Sequence, residues 1–180
     1  MPGETVLDAA CCTGYGSHIL GLDSSVKVLG REVDEGCIAE ADGRWKPSNP
    51  NLDFKVLDLD KDEWPDADVL VTIETAEHVQ DFKRFVKQTT KHIKRCVVFC
   101  VPLGGTSHAY SAEQQALPAG ECNDFNNIAH VESIFDKAGW KLQTSFDFGY
   151  SGFFVFFKKP PKVPKGYDKN AFPQKGYIAP

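Results

Sequence analysis

The stretch VLDAACCTGYGS, residues 6–17, decides how this chain is to be read. An apolar run closes on an acid, Asp8, two cysteines follow, and then two glycines flank Tyr15. Two chemistries compete for such a segment: a thiol site for a metal or a disulfide, or a turn folded around a cofactor. The thiol reading lacks partners. Cys11, Cys12, Cys37, Cys96, Cys100 and Cys122 form no C-x-x-C pair, and a bridge between adjacent Cys11 and Cys12 would strain the backbone severely. They read as reduced core residues of a cytoplasmic protein. The turn reading has a local logic, because a short strand runs into small residues and then into helical spacing at Tyr15, Ile19 and Leu22. Backbone N–H groups in such a loop face a carboxylate or a phosphate.

Outward from this loop, strand-like and helix-like segments alternate. Residues 26–33, 54–59, 68–74 and 96–102 read as strands. Helical spacing appears at Cys37, Ile38 and Ala41 behind the acids Asp34 and Glu35, and again at Phe82, Phe85, Val86 and Ile93 with Asp81 as the N-cap. A further helix carries Val131, Ile134, Phe135 and Ala138 on one face and ends at Gly139. Residues 141–149 and 151–159 are two last strands, whose GYSG junction marks a hairpin. Residues 103–127 show no period, which is long for a loop without a function. The pattern predicts an α/β, Rossmann-like doubly wound sheet of seven strands, mostly parallel, with a C-terminal antiparallel hairpin strand. Ligands of such sheets bind at the carboxyl ends of the strands.

With 180 residues and 42% hydrophobic content there is enough chain for one core and too little for two. We expect one domain over residues 1–158 and a basic Pro/Lys-rich tail over 159–180, extended or disordered. Six lysines and one aspartate in the last 23 residues leave the first 157 at −10, against −5 for the whole chain. So acidic a body is a poor non-specific nucleic-acid binder. No apolar run is long enough to span a membrane, and the first residues lack the basic and apolar regions of a secretory signal, which predicts a soluble, cytoplasmic protein.

Four predicted strand ends carry acids: Asp8, Glu32, Asp58 and Glu74. Glu32 lies 18 residues past Gly14, where a carboxylate can accept from a ribose diol. A dinucleotide site is the main rival. It needs a third glycine for close packing of helix on strand, and here the third place falls on Tyr15. VLDAACCTGYGS resembles the first motif of the class I S-adenosylmethionine-dependent methyltransferases. GREVDEGCIAEAD (30–42) is similar to the second, FKVLD (54–58) to the third, and ADVLVTIETAEHVQD (67–81) to the fourth, with its E-x-x-E-H-v-x-D signature. The likeness runs over about residues 5–158, in order and at the family's spacing.

The resemblance implies S-adenosylmethionine as cofactor. Its amino-acid end would rest on the backbone of residues 10–14, Ala10, Cys12 and Gly14 among them. Glu32 would hold the ribose, Val33 and Leu59 the faces of the adenine and Asp58 its amine, while Asp8 would orient the loop or meet the ammonium; Glu74 belongs to the same set. His78 and Glu77 are the candidate catalytic pair, with His78 as general base or, in a structural role, a holder of the strand end. His108 and His130 are weaker candidates. No metal is assigned, since one E-x-x-E-H cluster does not establish it. Two features depart from the family. Cys12 stands where glycine is usual, which costs room or forces an unusual backbone angle. The helices that usually precede the first strand and cover the substrate are missing, so residues 103–127, the tail or a partner chain are the candidate lid. The absence of a D/N-P-P-Y/F segment and of a Pro-Cys nucleophile disfavours DNA. The implied function is methyl transfer to a small molecule or exposed group; the alternative is a non-catalytic module that binds S-adenosylmethionine or S-adenosylhomocysteine as a subunit. A protein partner or a homodimer would use the lid loop or the tail.

Overall fold

The first strand of the chain becomes the middle of the sheet. In a computed structural model, which describes residues 3–103, 125, 127–149 and 151–159, β1 (Thr5–Ala9) lies between β2 (Lys27–Glu32) and β4 (Ala67–Ile73), parallel to both. Asp8 is opposite Gly30 on one side and Val71 on the other. Outside these lie β3 (Leu52–Val56) next to β2 and β5 (Ile93–Pro102) next to β4. Then comes β7 (Ser151–Phe157), antiparallel to both β5 and the outermost β6 (Lys141–Asp147). The order is β3-β2-β1-β4-β5-β7-β6, so only β7 runs against the rest. Strand order reverses between β1 and β4, which is where such sheets open a crevice.

Neighbouring residues of a strand point to opposite faces, so Val6 and Leu7 enter different apolar clusters. Leu7 joins Leu70, Val97, Phe99, Phe154 and Phe156 under α3 (Phe82–His92) and α4 (Ile128–Lys137), which contribute Phe85, Val131 and Phe135. Each of these buried aromatics stabilises the fold by about 1.5–3 kcal/mol relative to exposure. On the other face, α2 (Glu35–Trp45) sets Ala41 against Val28, Leu52 and Phe54. Side-chain caps start the helices: Asp34 accepts from the Cys37 N–H, Asp81 from Arg84 and Asn127 from His130.

Three expectations are corrected in detail. β3 ends at Val56 rather than at residue 59, because the chain turns where the Asp58 carboxylate accepts the Asp60 N–H at 2.9 Å. Ile93 opens β5, paired with Ala67, instead of closing the helix before it. The apolar residues assigned to α1 (Tyr15–Leu20) and its end face outward, Tyr15 63%, Ile19 48% and Leu22 70% exposed. What this short helix buries is Ser17, whose Oγ bonds Asp8 at 2.6 Å and lies 2.9 Å from where a Cβ on Gly30 would stand. Polar contact and a close approach fix the face, not hydrophobicity. Residues 104–124 and 160–180, which hold most of the candidate lid and tail along with His108 and Cys122, lie outside the described residues.

Candidate active site

A cavity of about 530 Å³ opens at the carboxyl ends of β1, β2 and β4. Ala10, Cys12, Glu32, Val33, Asp58, Leu59, Glu74 and His78 line it, together with Arg31, Leu57, Asp60, Ile73, Thr75 and Val79. Asp8, Gly14 and Glu77 are not on its wall. Asp8 is buried behind the loop, and burial raises its pKa although Ser17 donates to it. It anchors the loop to α1 from within. Gly14, the N-cap of α1 at φ 77°, leaves no room for a Cβ, which would meet Ala41 and the Phe54 ring at 2.8 Å.

The loop after β1 alternates into the left-handed region at Ala10 (φ 60°), Cys12 (φ 48°) and Gly14 (φ 77°). For the two non-glycine residues this costs about 1–2 kcal/mol each. Hydrogen bonds to the next strand offset the strain: Cys11 N–H donates to the Arg31 carbonyl and Cys12 N–H to Glu32 Oε2, both at 3.0 Å. Cys12 thus takes the unusual backbone angle its position demands. Its side chain is exposed, with Sγ 4.0 Å from that of Cys37 at the start of α2, so neither is the core residue expected from the sequence; Cys11 and Cys96 are buried. Burial, with Cys12, Asp34 and Glu32 nearby, pushes the Cys37 thiol up to about 11.

Glu32 and Asp58 share the cavity wall. Glu32 Oε1 also accepts the Val33 N–H at 2.7 Å, and an ion pair with Lys61 at 2.7 Å holds the Asp58 carboxyl below its usual range. Two residues that the motifs do not mark tie this side to the next. The Arg84 guanidinium, from α3, donates to the carbonyls of Leu59, Lys61 and Asp62, and the Asp60 carboxylate accepts from Gln80 and Asp81 N–H. Both contacts join residues twenty or more apart, beyond the reach of local spacing.

Across the cavity, Glu74 is a third left-handed non-glycine residue (φ 50°), accepting from the Cys100 thiol at 3.2 Å. Glu77 is 4% exposed, and among the described residues no other residue hydrogen-bonds to either of its carboxyl oxygens. Burial, reinforced by the charge of Glu74, pushes its pKa up to about 7. His78, 43% exposed at the side chain, lines the cavity with Nε2 3.7 Å from Glu77 Oε1. A partly wet imidazole beside a buried carboxyl that titrates near neutrality can exchange protons with a bound molecule. His130 lies on α4, off this wall. Among the described residues no cluster of three or more His, Cys, Asp or Glu is placed to hold a metal ion.

Residues 6–96 match the family model described as a methyltransferase domain. The chain belongs to that family. Over 143 residues this methyltransferase domain is 32% identical to a probable S-adenosylmethionine-dependent methyltransferase of Mycolicibacterium smegmatis, covering 78% of this chain and 53% of the relative. It is 33% identical over 92 residues to phosphoethanolamine N-methyltransferase 3 of Arabidopsis thaliana, covering 48% of this chain and 19% of the relative. The domain therefore spans about half the length of the first relative and about a fifth of the second. Its fold is shared by magnesium protoporphyrin IX methyltransferase of Synechocystis PCC 6803 with bound SAH, at TM-score 0.67 and 16% identity, over 88% of this chain and 75% of that one.

Proposed function

We propose that this domain transfers a methyl group from S-adenosylmethionine to a small molecule or to an exposed group of a larger one, as a member of the E-x-x-E-H subgroup through Glu74, Glu77 and His78. One observation carries the reading: Glu32, Asp58, the left-handed loop at Ala10 and Cys12, and His78 all line one cavity. The donor set suits an adenosyl group. A carboxylate has about four acceptor sites; Glu32 uses two in short bonds to Cys12 and Val33 and a longer one to Asp34 at 3.3 Å, which leaves capacity for a ribose hydroxyl. Val33 and Leu59 supply apolar surface for a flat base, and Asp58 a carboxylate for its amine.

When bound, the cofactor supplies a methyl group already activated for displacement. The chain's own residues then align the acceptor and manage its proton. His78 takes that proton, and Glu77 behind it supports the imidazolium that forms. The plant relative's name places phosphorylated amino alcohols among the first acceptors to assay. No helix of the described residues is long and apolar enough to cross a membrane, and Cys11, Cys12, Cys37, Cys96 and Cys100 are free thiols, which supports the cytoplasm as its location. Residues 103–127 and the basic tail are the segments through which a protein partner or second copy would add a cover.

Titrating the chain with S-adenosylhomocysteine (SAH) tests the reading. Ligand at a hundred times its Kd should add about 2.7 kcal/mol of stability, seen as a higher Tm, and Glu32→Ala should remove most of that gain. No shift at millimolar SAH would turn the reading toward a module without cofactor chemistry, and competition by NADH would turn it toward an oxidoreductase.

A further inference from the structure

The structure assigns Cys12 and Cys37 as an oxidisable dithiol: a hydroperoxide converts them to a disulfide that draws the cofactor loop toward α2 and weakens cofactor binding. The regulatory half of this inference rests on the function proposed above.

The pair is set apart from the other thiols by place and by exposure. Cys11, though adjacent to Cys12, is packed inward with Val28, Ala41, Leu52 and Phe54. Cys96 is buried, and Cys100 donates to Glu74. Cys12 is exposed on the loop after β1, Cys37 is half-buried on the first turn of α2, and their sulfurs are 4.0 Å apart. A disulfide needs about 2.05 Å between sulfurs, so roughly 2 Å must be closed by side-chain rotation and by movement of the loop. That loop is where movement has consequences. Cys12 lines the cavity, and its N–H is bonded to Glu32 Oε2. Closing the gap pulls on this bond and on the Ala10 to Cys12 wall, while α2 is held by its Asp34 cap.

The chemistry balances with hydrogen peroxide as the named oxidant. Cys12, the more accessible sulfur, attacks one peroxide oxygen; the O–O bond breaks, the departing oxygen leaves as water, and Cys12 becomes a sulfenic acid. The Cys37 sulfur then attacks the Cys12 sulfur, the S–O bond breaks, and a second water leaves. Two thiols lose two electrons and two protons, and one hydroperoxide is reduced. A dithiol reductant reverses the change by exchange.

The test uses the full chain, reduced and then treated with hydrogen peroxide. Expected are a mass loss of about 2 Da, a peptide linking residues 12 and 37, at least a tenfold rise in the Kd for SAH, and its restoration by dithiothreitol. Saturating SAH added before the peroxide should slow formation of the linked peptide. Cys37→Ser should form no such peptide. A link through Cys11, Cys100 or Cys122 instead, no link at all, or a 12–37 link with unchanged or tighter SAH binding overturns the proposal. Reduced protein that takes up no SAH overturns the cofactor reading and the regulatory half with it, while the peptide map still decides whether the dithiol exists.

Discussion

The loop after β1 and the loop after β4 each put a strained, non-glycine residue at the edge of the same cavity, Cys12 at φ 48° and Glu74 at φ 50°, yet they are held in different ways. On the β1 side, backbone groups find partners: Cys11 and Cys12 N–H bond to β2 and its terminal carboxylate, and Gly14 packs where no side chain fits. On the β4 side, burial leaves the Glu77 carboxyl without a hydrogen bond from any other described residue and raises its pKa to about 7. Strain with satisfied partners makes a preformed wall; a buried acid without them makes a reactive one. On the function proposed above, one side binds and the other moves protons.

The sharpest way to break this contrast is at His78. If the β4 side carries the chemistry alone, His78→Gln should lower kcat by about 10²–10⁴-fold while the Kd for SAH stays within a few-fold, as read by steady-state kinetics and calorimetry. A parallel loss of SAH affinity would merge the two sides. Next in size is Glu77. Its folded pKa of about 7 stands above the ordinary 4.5, so the folded protein keeps this proton while the unfolded chain releases it. Stability should therefore fall as pH rises from about 4.5 to about 7 and then level off, by about 3 kcal/mol for this group. Glu77→Gln should flatten that decline, raising Tm at pH 8 more than at pH 5 in thermal melts.

Arg84→Ala probes the link between the sides. Freeing three carbonyls of residues 59–62 should weaken SAH binding about tenfold through misplacement of Asp58 and Leu59, and Arg84→Lys should restore only part of it. Cys12→Gly has the smallest effect. It relieves a left-handed side chain at some cost in chain entropy, for a net gain of up to about 1 kcal/mol in urea melts.

How much of this was legible in the sequence depends on what fixed each part. The central strands β1, β4 and β5 are largely buried and read as mainly apolar runs, and the caps Asp34 and Asp81 declare themselves through local chemistry. Glu32, Asp58 and His78 were marked by their place at strand ends. What spacing could not show were features settled by distant partners: the outward Tyr15, Ile19 and Leu22, turned by the Asp8–Ser17 bond; the Arg84 grip on residues 59–62; and the meeting of Cys12 with Cys37. Residues 6–17 read as a cofactor loop, but its exposed thiol, Cys12, and its neighbour Cys37 on α2 read as core.

The position of β7 has one more consequence. Because β7, the last of the described strands, lies between β5 and β6, its Phe154 and Phe156 wedged into the central cluster, β6 has none of the other described strands to pair with until residues 151–157 have left the ribosome. Synthesis must pass residue 157 before the sheet can close, and a chain stopped at residue 150 would carry an orphaned edge and an open aromatic core, a ready substrate for chaperones.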